Sequence, residues 1–249
     1  MRITVVTPVL DRARVIGDCL ASVAGQAHAD VEHVVVDGGS RDGTLEQVRA
    51  GLRPGGKLLL GPDRGLYDGL NKGIAVATGD VVGTLGADDV YADRAVLTRI
   101  AEAFEASGAD VVHGDLLYVR DDLTTIVRTW RSSPHLPGRF QRGWMPPHPT
   151  FFARRALFER LGGYDLRLRI AADYELMLRF LERHQLRSHH VPEVLVKMRT
   201  GGVSNSPRSL ARKSLEDGYA LWLNGHGLAA PLTVALKNLR KLPQLFRRA

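Results

Sequence analysis

DVVGTLGADDVYAD, residues 80–93, carries an apolar run from Val81 to Leu85 that ends at a glycine and is followed by two adjacent acids, Asp88 and Asp89. A short β-branched run of this kind predicts a buried strand. Neighbouring carboxylates repel each other where such a strand leaves the core. Their charge needs turn amides, a basic side chain or a metal ion beside it. Taken alone, the pair fits an ordinary turn better than a ligand site.

The same design recurs on both sides of this stretch. RITVVTPV (2–9), VEHVVVDGGS (31–40) and KLLLG (57–61) predict three further strands. RVIGDCLASV, RDGTLEQVRA and LYDGLNKGIAVA lie between them with apolar residues at helical spacing. A helix over 93–107 and a strand DVVHG continue the alternation. Strands alternating with helices predict an α/β fold with a parallel, Rossmann-like sheet through about residue 114. Ligands in such sheets sit beyond the carboxyl ends of the strands. Asp11, Asp37 and Asp88 all fall at those ends.

Past residue 114 the pattern changes. DLLYVR and TTIVRTW predict antiparallel strands, and SSPHLPGRFQRGWMPPHP is a proline-rich, aromatic loop. TFFARRALFERLGGYD gives a strand and a short helix, DYELMLRFLERHQ a longer helix, and VPEVLVKMR a late strand. Two helices close the chain. The second half is expected to extend the same sheet, making it mixed and flanked by helices.

With 249 residues, 44% hydrophobic and 24% charged, the chain can bury a substantial core. The single cysteine, Cys19, leaves no intrachain disulfide and fits a reducing compartment. No N-terminal signal peptide is visible, and no stretch reaches the roughly 18 apolar residues of a membrane span. Charge is uneven: from Gly218 to Ala249 there is no acid, while Lys237, Arg240, Lys241, Arg247 and Arg248 supply most of the net +7. A nucleic-acid binder would carry its cations on a folded face among aromatics. The tail instead predicts a basic helix, with Leu232, Ala235, Leu236 and Leu239 on one side, lying on an anionic membrane surface or docked on the main domain.

No G-x-G-x-x-G or G-x-x-x-x-G-K-[ST] loop follows a strand. A nucleotide held here needs another way to neutralise its diphosphate. A divalent cation on a carboxylate supplies one, and hard oxygen ligands suit Mg²⁺ or Mn²⁺. Asp68, Asn71 and Lys72 share a helix face opposite Leu66, Leu70 and Ile74, which fits either a ligand-facing edge or an exposed i,i+4 ion pair.

VVTPVLDRARVIGDCLASVAGQ, VVVDGGSRDGT, DRGLYDGLNKGIAVATGD, LGADD and the later HPTFFARRALFERLGGYDLRLRIAADYELMLR follow one another in order. In this the chain resembles the family 2 inverting glycosyltransferases of the GT-A fold, in particular bacterial polysaccharide and glycolipid members. The match runs over roughly residues 2–200. It implies a GT-A domain over 1–205, with a nucleotide-binding half (1–114) and an acceptor-side half (115–205), followed by a basic helical extension over 206–249.

The resemblance also implies roles. Thr7, Pro8 and Asp11 would line base and ribose, Asp37 the base edge, and Asp63 and Lys72 the uracil and diphosphate region. Asp88 would hold the metal, with Gly86 standing where the family's first acid usually is. Asp68, Asn71 and Asp89 would support the site or touch the donor sugar. Asp173 stands where the family places its base, which takes the acceptor hydroxyl's proton during inversion; a helix N-cap is its other reading. Trp144, His148, Tyr164 and Arg169 would meet acceptor or diphosphate, or pack the lid.

The expectation is therefore a cytoplasmic, metal-dependent enzyme at the inner face of the membrane. It would pass a sugar from a nucleotide-sugar, of the UDP type, to a hydroxyl acceptor such as a lipid-linked glycan, with no nucleic-acid partner. A sugar nucleotidyltransferase and a noncatalytic nucleotide-sugar-binding protein are the alternatives. The first would show a glycine- and lysine-rich loop after strand one, which is absent.

Overall fold

The computed structural model describes residues 1–200 and 207–239. Its centre is a nine-stranded mixed sheet in the order β3-β2-β1-β4-β8-β6-β9-β5, with β7 paired to β6. β1 (Ile3–Val9), β2 (Val31–Asp37), β3 (Lys57–Leu60) and β4 (Val81–Thr84) run parallel, linked through α1 (Ile16–Ala24), α2 (Thr44–Gly51) and α3 (Leu66–Ala75). β1 and β2 are buried at every position, which is why they read as continuous apolar runs rather than as alternation. Their side chains still alternate between two cores. Val6 and Val34 face α3 and the later helices, whereas Ile3, Val5 and Val35 face α1 and α4 (Val96–Ser107). Gly73 lets α3 approach closely, since a Cβ there would lie 2.3 Å from Val6 Cγ1.

The parallel series stops one strand earlier than the sequence predicts. β6 (Val111–Val119) does not neighbour β4, because β8 (Phe152–Arg154) lies between them and runs antiparallel to both. DVVHG and DLLYVR are one strand, kinked by register shifts around Asp115. β6 pairs antiparallel with β7 (Ile126–Trp130) and parallel with β9 (Ser188–Arg199). A two-residue strand, β5 (Val90–Tyr91), follows directly on Asp89 and pairs with β9. α5 (Arg155–Leu161), α6 (Ala172–Leu178), α7 (Pro207–Leu223) and α8 (Ala230–Leu239) complete the described chain. The predicted long helix after residue 172 is shorter, as α6 passes into a π-helical turn over Arg179–Arg183.

One polar knot holds the sheet's amino end. The Glu32 carboxylate, buried within β2, accepts from Thr4 Oγ1 at 2.6 Å, Thr78 N at 2.7 Å and Thr78 Oγ1 at 2.9 Å, and pairs with Lys57 Nζ at 2.8 Å. Burial alone would raise its pKa, but Lys57 and the threonine donors override it and pull Glu32 down to about 2. A depressed carboxylate stabilises above its unfolded pKa and loses that contribution as pH falls through the folded one. The drop from 4.5 to about 2 corresponds to on the order of 3 kcal/mol. Glu32→Gln should therefore lower unfolding free energy by about that much at neutral pH. The gap to wild type should close as pH falls from 4.5 towards 2. Urea titrations across this range check it; a constant gap would place the effect elsewhere.

Candidate active site

The carboxyl ends of β1 and β2 carry two loops stitched to each other. Asp37 Oδ1 accepts from Gly39 N at 2.8 Å and Ser40 N at 2.7 Å. Its Oδ2 is buried and has no hydrogen-bond partner among the described residues, which leaves an acceptor position open to a ligand donor. Asp11 adopts φ 50°, a left-handed conformation that Asp tolerates better than most residues. Its amide donates to Ser40 Oγ and its carboxylate accepts from Arg41 N at 2.8 Å. Asp63 accepts from Gly65 N at 2.9 Å and packs against Gly38, where a Cβ would lie 2.6 Å from Asp63 Oδ2.

Several expected contacts take another form. The Thr7 side chain faces the core, 3.0 Å from His33 Nε2, and Pro8 is buried against α3, so β1 offers backbone rather than side chains here. Asp68 is not on an exposed face opposite an apolar stripe: it is buried while Leu66 is 54% exposed. It accepts from Arg64 N at 3.0 Å and pairs with Lys72 at 3.2 Å, and the Arg64 amide leads in holding its carboxyl below the usual range. Lys72 also donates to Pro62 O at 2.7 Å, so the two residues brace the turn that carries Asp63.

Asp88 and Asp89 leave β4 in a tight turn. Asp89 N donates to Gly86 O at 3.0 Å, closing a turn in which Gly86 makes room for both carboxylates. A Cβ on Gly86 would lie 2.8 Å from Asp89 Oδ2 and 3.1 Å from Asp88 Oδ1. Burial, reinforced by Asp88, pushes Asp89 up to about 8. The cation beside the pair is Arg199 at the end of β9. Its backbone N donates to Asp89 Oδ1 at 3.2 Å, its Nη1 to Asp88 O at 2.8 Å and its Nη2 to Asp18 Oδ2 at 2.5 Å. No group of three His, Cys, Asp or Glu side chains gathers as a metal cage among the described residues.

Asp173 lies at the start of α6. Its Oδ1 accepts from Tyr174 N at 2.8 Å and lies 3.2 Å from Tyr67 Oη, whose one proton is shared with the nearer Ile170 O at 2.8 Å. Burial would raise its pKa, yet His148, Lys213, Lys237 and the Tyr174 amide outweigh burial and hold it below the usual value. His148 Nε2 meets Tyr164 Oη at 2.7 Å, and burial lowers the imidazole's pKa. The Tyr164 ring stacks on Tyr67 at 5.3 Å. Asn71 fixes that ring by bonding both the amide and the carbonyl of Tyr164, at 2.8 and 2.9 Å. Tyr67 also lines a cleft of about 540 Å³ with Arg64, Asp68, Leu166, Leu168 and Arg169, which puts Asp173 one hydrogen bond behind its wall. Burial raises the Tyr118 hydroxyl on β6 above its usual pKa against the pull of Arg128, and the charges of Asp89 and Asp173 add to the rise. Trp144 is not at this site. It is buried among His113, His135 and Phe140, its Nε1 donating to Ser133 Oγ at 3.0 Å.

Residues 4–164 match the family model for glycosyl transferase family 2. The chain belongs to that family. This family 2 glycosyltransferase is 32% identical over 209 residues to a PGL/p-HBAD biosynthesis glycosyltransferase of Mycobacterium bovis, covering 82% of this chain and 79% of the relative. Its fold resembles that of Staphylococcus aureus TarS (residues 1–349) in complex with UDP-GlcNAc, at TM-score 0.71 and 18% identity, over 98% of this chain and 73% of the other. A Pyrobaculum calidifontis mannosyltransferase in complex with GDP-Man and Mn²⁺ is similar at TM-score 0.65 and 19% identity, over 100% and 76%. The expected GT-A architecture, a mixed sheet with C-terminal helices, is the one present.

Several residues around the candidate site escaped the sequence. Tyr67 sits between two leucine-stripe positions, Arg199 is 110 residues from Asp89, and Tyr118 and Lys237 carry no local motif. An arginine ending a strand is the one hint that pairing to the acidic turn leaves in the chain.

Proposed function

We propose that this glycosyltransferase moves a sugar from a UDP-type nucleotide-sugar to a hydroxyl acceptor with inversion, and that Asp173 is its base. The observation that carries this reading is the position of Asp173. An ionised carboxylate, aimed by the Tyr174 amide and the Tyr67 hydroxyl, stands directly behind a cleft wall. Asp173 would take the proton of the attacking hydroxyl, and His148 with Tyr164 would brace the acceptor side. Asp37, through its open Oδ2, would receive a base N–H, with Asp11 and Asp63 holding the surrounding loops. The acceptor we favour is lipid-linked, in glycolipid or surface-polysaccharide assembly, which the mycobacterial relative's name supports.

Two adjacent carboxylates in a turn that only glycine leaves open fit a hard divalent cation, Mg²⁺ or Mn²⁺. Asp88 would hold it with Asp89 behind, and diphosphate oxygens and water would complete the coordination. When bound, such an ion neutralises the departing diphosphate. Nucleoside diphosphate should accordingly bind at least roughly tenfold more tightly with Mn²⁺ than with chelator, a difference needing only about 1.4 kcal/mol. Asp88→Ala should abolish the difference. Calorimetry giving equal affinities in both conditions would remove the metal from the mechanism. A product that keeps the donor's anomeric configuration would remove inversion.

A further inference from the structure

Of the two placements that the sequence left open, α8 takes the docked one, though through Thr233 and Lys237 rather than through its leucines. Lys237, expected beside an exposed leucine stripe, is buried against Asp217 at 2.8 Å. Leu232 points outward at 67% exposure and Leu236 is half-buried. Arg240, Lys241, Arg247 and Arg248 lie outside the described residues.

A different apolar surface appears instead. Leu215, Tyr219 and Trp222 follow one another at i, i+4 and i+7 along α7, exposed by 76%, 37% and 64%. Leu228 and Leu232, after the turn into α8, are exposed by 106% and 67%. The Tyr219 and Trp222 rings stack at 5.9 Å, and the Arg167 guanidinium lies 5.7 Å from the Tyr219 ring centre. Five large exposed apolar side chains along α7 and the start of α8 mark an interaction surface rather than ordinary surface.

Charge around this surface selects the partner. The acids of α7 turn inward: Glu216 accepts from Ile170 N at 2.7 Å and pairs with Arg212, and Asp217 meets Lys237. Asp165 is neutralised by the Arg167 fork. Arg167 and Arg212 are exposed but matched by those acids, whereas Arg183, bonded to Leu223 O at the end of α7, is exposed with no carboxylate partner among the described residues and leaves the rim cationic. No acid occurs from Gly218 to the end of the chain. Tyr and Trp among leucines with a cationic rim is the composition that seats at the boundary of an anionic bilayer.

We propose that Leu215, Tyr219, Trp222, Leu228 and Leu232 form a seat on an anionic membrane surface that presents the cleft to the bilayer. Leu166 lines the cleft and the next residue, Arg167, covers Tyr219, so cleft mouth and seat are contiguous. The seat deepens the lipid-acceptor reading, yet it is measured without any transfer reaction. No helix among the described residues is long and apolar enough to cross a membrane.

The test is co-sedimentation of the full chain with phosphatidylcholine vesicles, with and without roughly 30 mol % phosphatidylglycerol. Wild type should bind the anionic vesicles and lose binding in high salt. Trp222→Ser with Leu228→Ser should weaken the partition coefficient tenfold or more while circular dichroism and transfer to a water-soluble acceptor stay unchanged. Bromine-labelled acyl chains should quench tryptophan emission of wild type but not of Trp222→Phe. Equal binding by wild type and the double variant, or none by either, overturns the seat. So does sedimentation velocity showing a dimer that the double variant dissociates, which would make this face a contact between copies. Retained transfer with absent vesicle binding would sink the seat alone; absent transfer with intact vesicle binding would sink the catalytic reading alone.

Discussion

Asp173→Asn should lower turnover by about 10² to 10⁴-fold while leaving nucleoside-diphosphate affinity nearly unchanged. Asparagine keeps the shape and can still accept from Tyr67 Oη and Tyr174 N through Oδ1, so the local geometry survives. Only the capacity to take a proton is lost. The carboxylate is held below the usual range against the burial that opposes its charge and so is ionised at neutral pH, where Lys213, Lys237 and the Tyr174 amide are the partners that favour it. Activity controlled by this group should therefore fall only at acid pH, below the ordinary carboxylate range. The same stabilisation makes it a weak base, so its proton transfer should accompany bond formation rather than precede it. Single-turnover rates beside calorimetric donor titrations check both halves. A variant with near wild-type turnover would leave Asp173 as a helix-start residue and move the base elsewhere.

Lys237→Met should destabilise the fold by about 3–5 kcal/mol, the usual consequence of leaving a buried charge without its partner. Lys237 and Asp217 are each 3% exposed at the side chain, 2.8 Å apart. Neither atom has an aligned hydrogen bond, so the contact is charge attraction rather than a directed bond. Burial pushes Lys237 down to about 8 against the pull of Asp217, which leaves it charged at neutral pH. Its Nζ also lies 3.4 Å from the Tyr174 ring centre, coupling α8 to the residue after Asp173. Adding Asp217→Leu should recover most of the loss, since removing both charges leaves no unpaired ion. Denaturant unfolding of the two single variants and the double one completes the cycle. A single-variant loss below about 1 kcal/mol would mean that α8 adds little to the domain.

The first four strands and their helices were legible because each is a local pattern: buried parallel strands read as apolar runs, and turn residues punctuate them. The positions of Asp11, Asp37 and Asp88 at strand ends followed from the same alternation. What stayed hidden depends on contacts distant in sequence. β8 enters between β4 and β6 because Gly83 leaves space for the Phe152 ring, and nothing near residue 83 announces it. β5 is two residues long, too short for any periodicity. Trp144 sits in an aromatic loop that could face a sugar as readily as a core, and three-dimensional packing decided for the core. Lys237 read as a surface cation because a helical wheel cannot show that Asp217 waits on the other side.

Arg199 joins residues 181 positions apart when it reaches Asp18, and 110 apart at Asp89. The amino-terminal strands can assemble through short crossovers as they leave the ribosome, but the acidic turn then stands without its counter-charge. Closure of that long loop comes late, because its entropy must be met before the contact returns anything. In the finished molecule the relation runs the other way. β9 reaches the turn through its last residue and through the two-residue strand β5, so fraying of that end alone strips the turn of its guanidinium while β1 to β4 stay paired. Amides of Val90 and Tyr91 should thus exchange with solvent deuterium sooner than those of Val5 and Val6, and donor affinity should fade in denaturant before the sheet does.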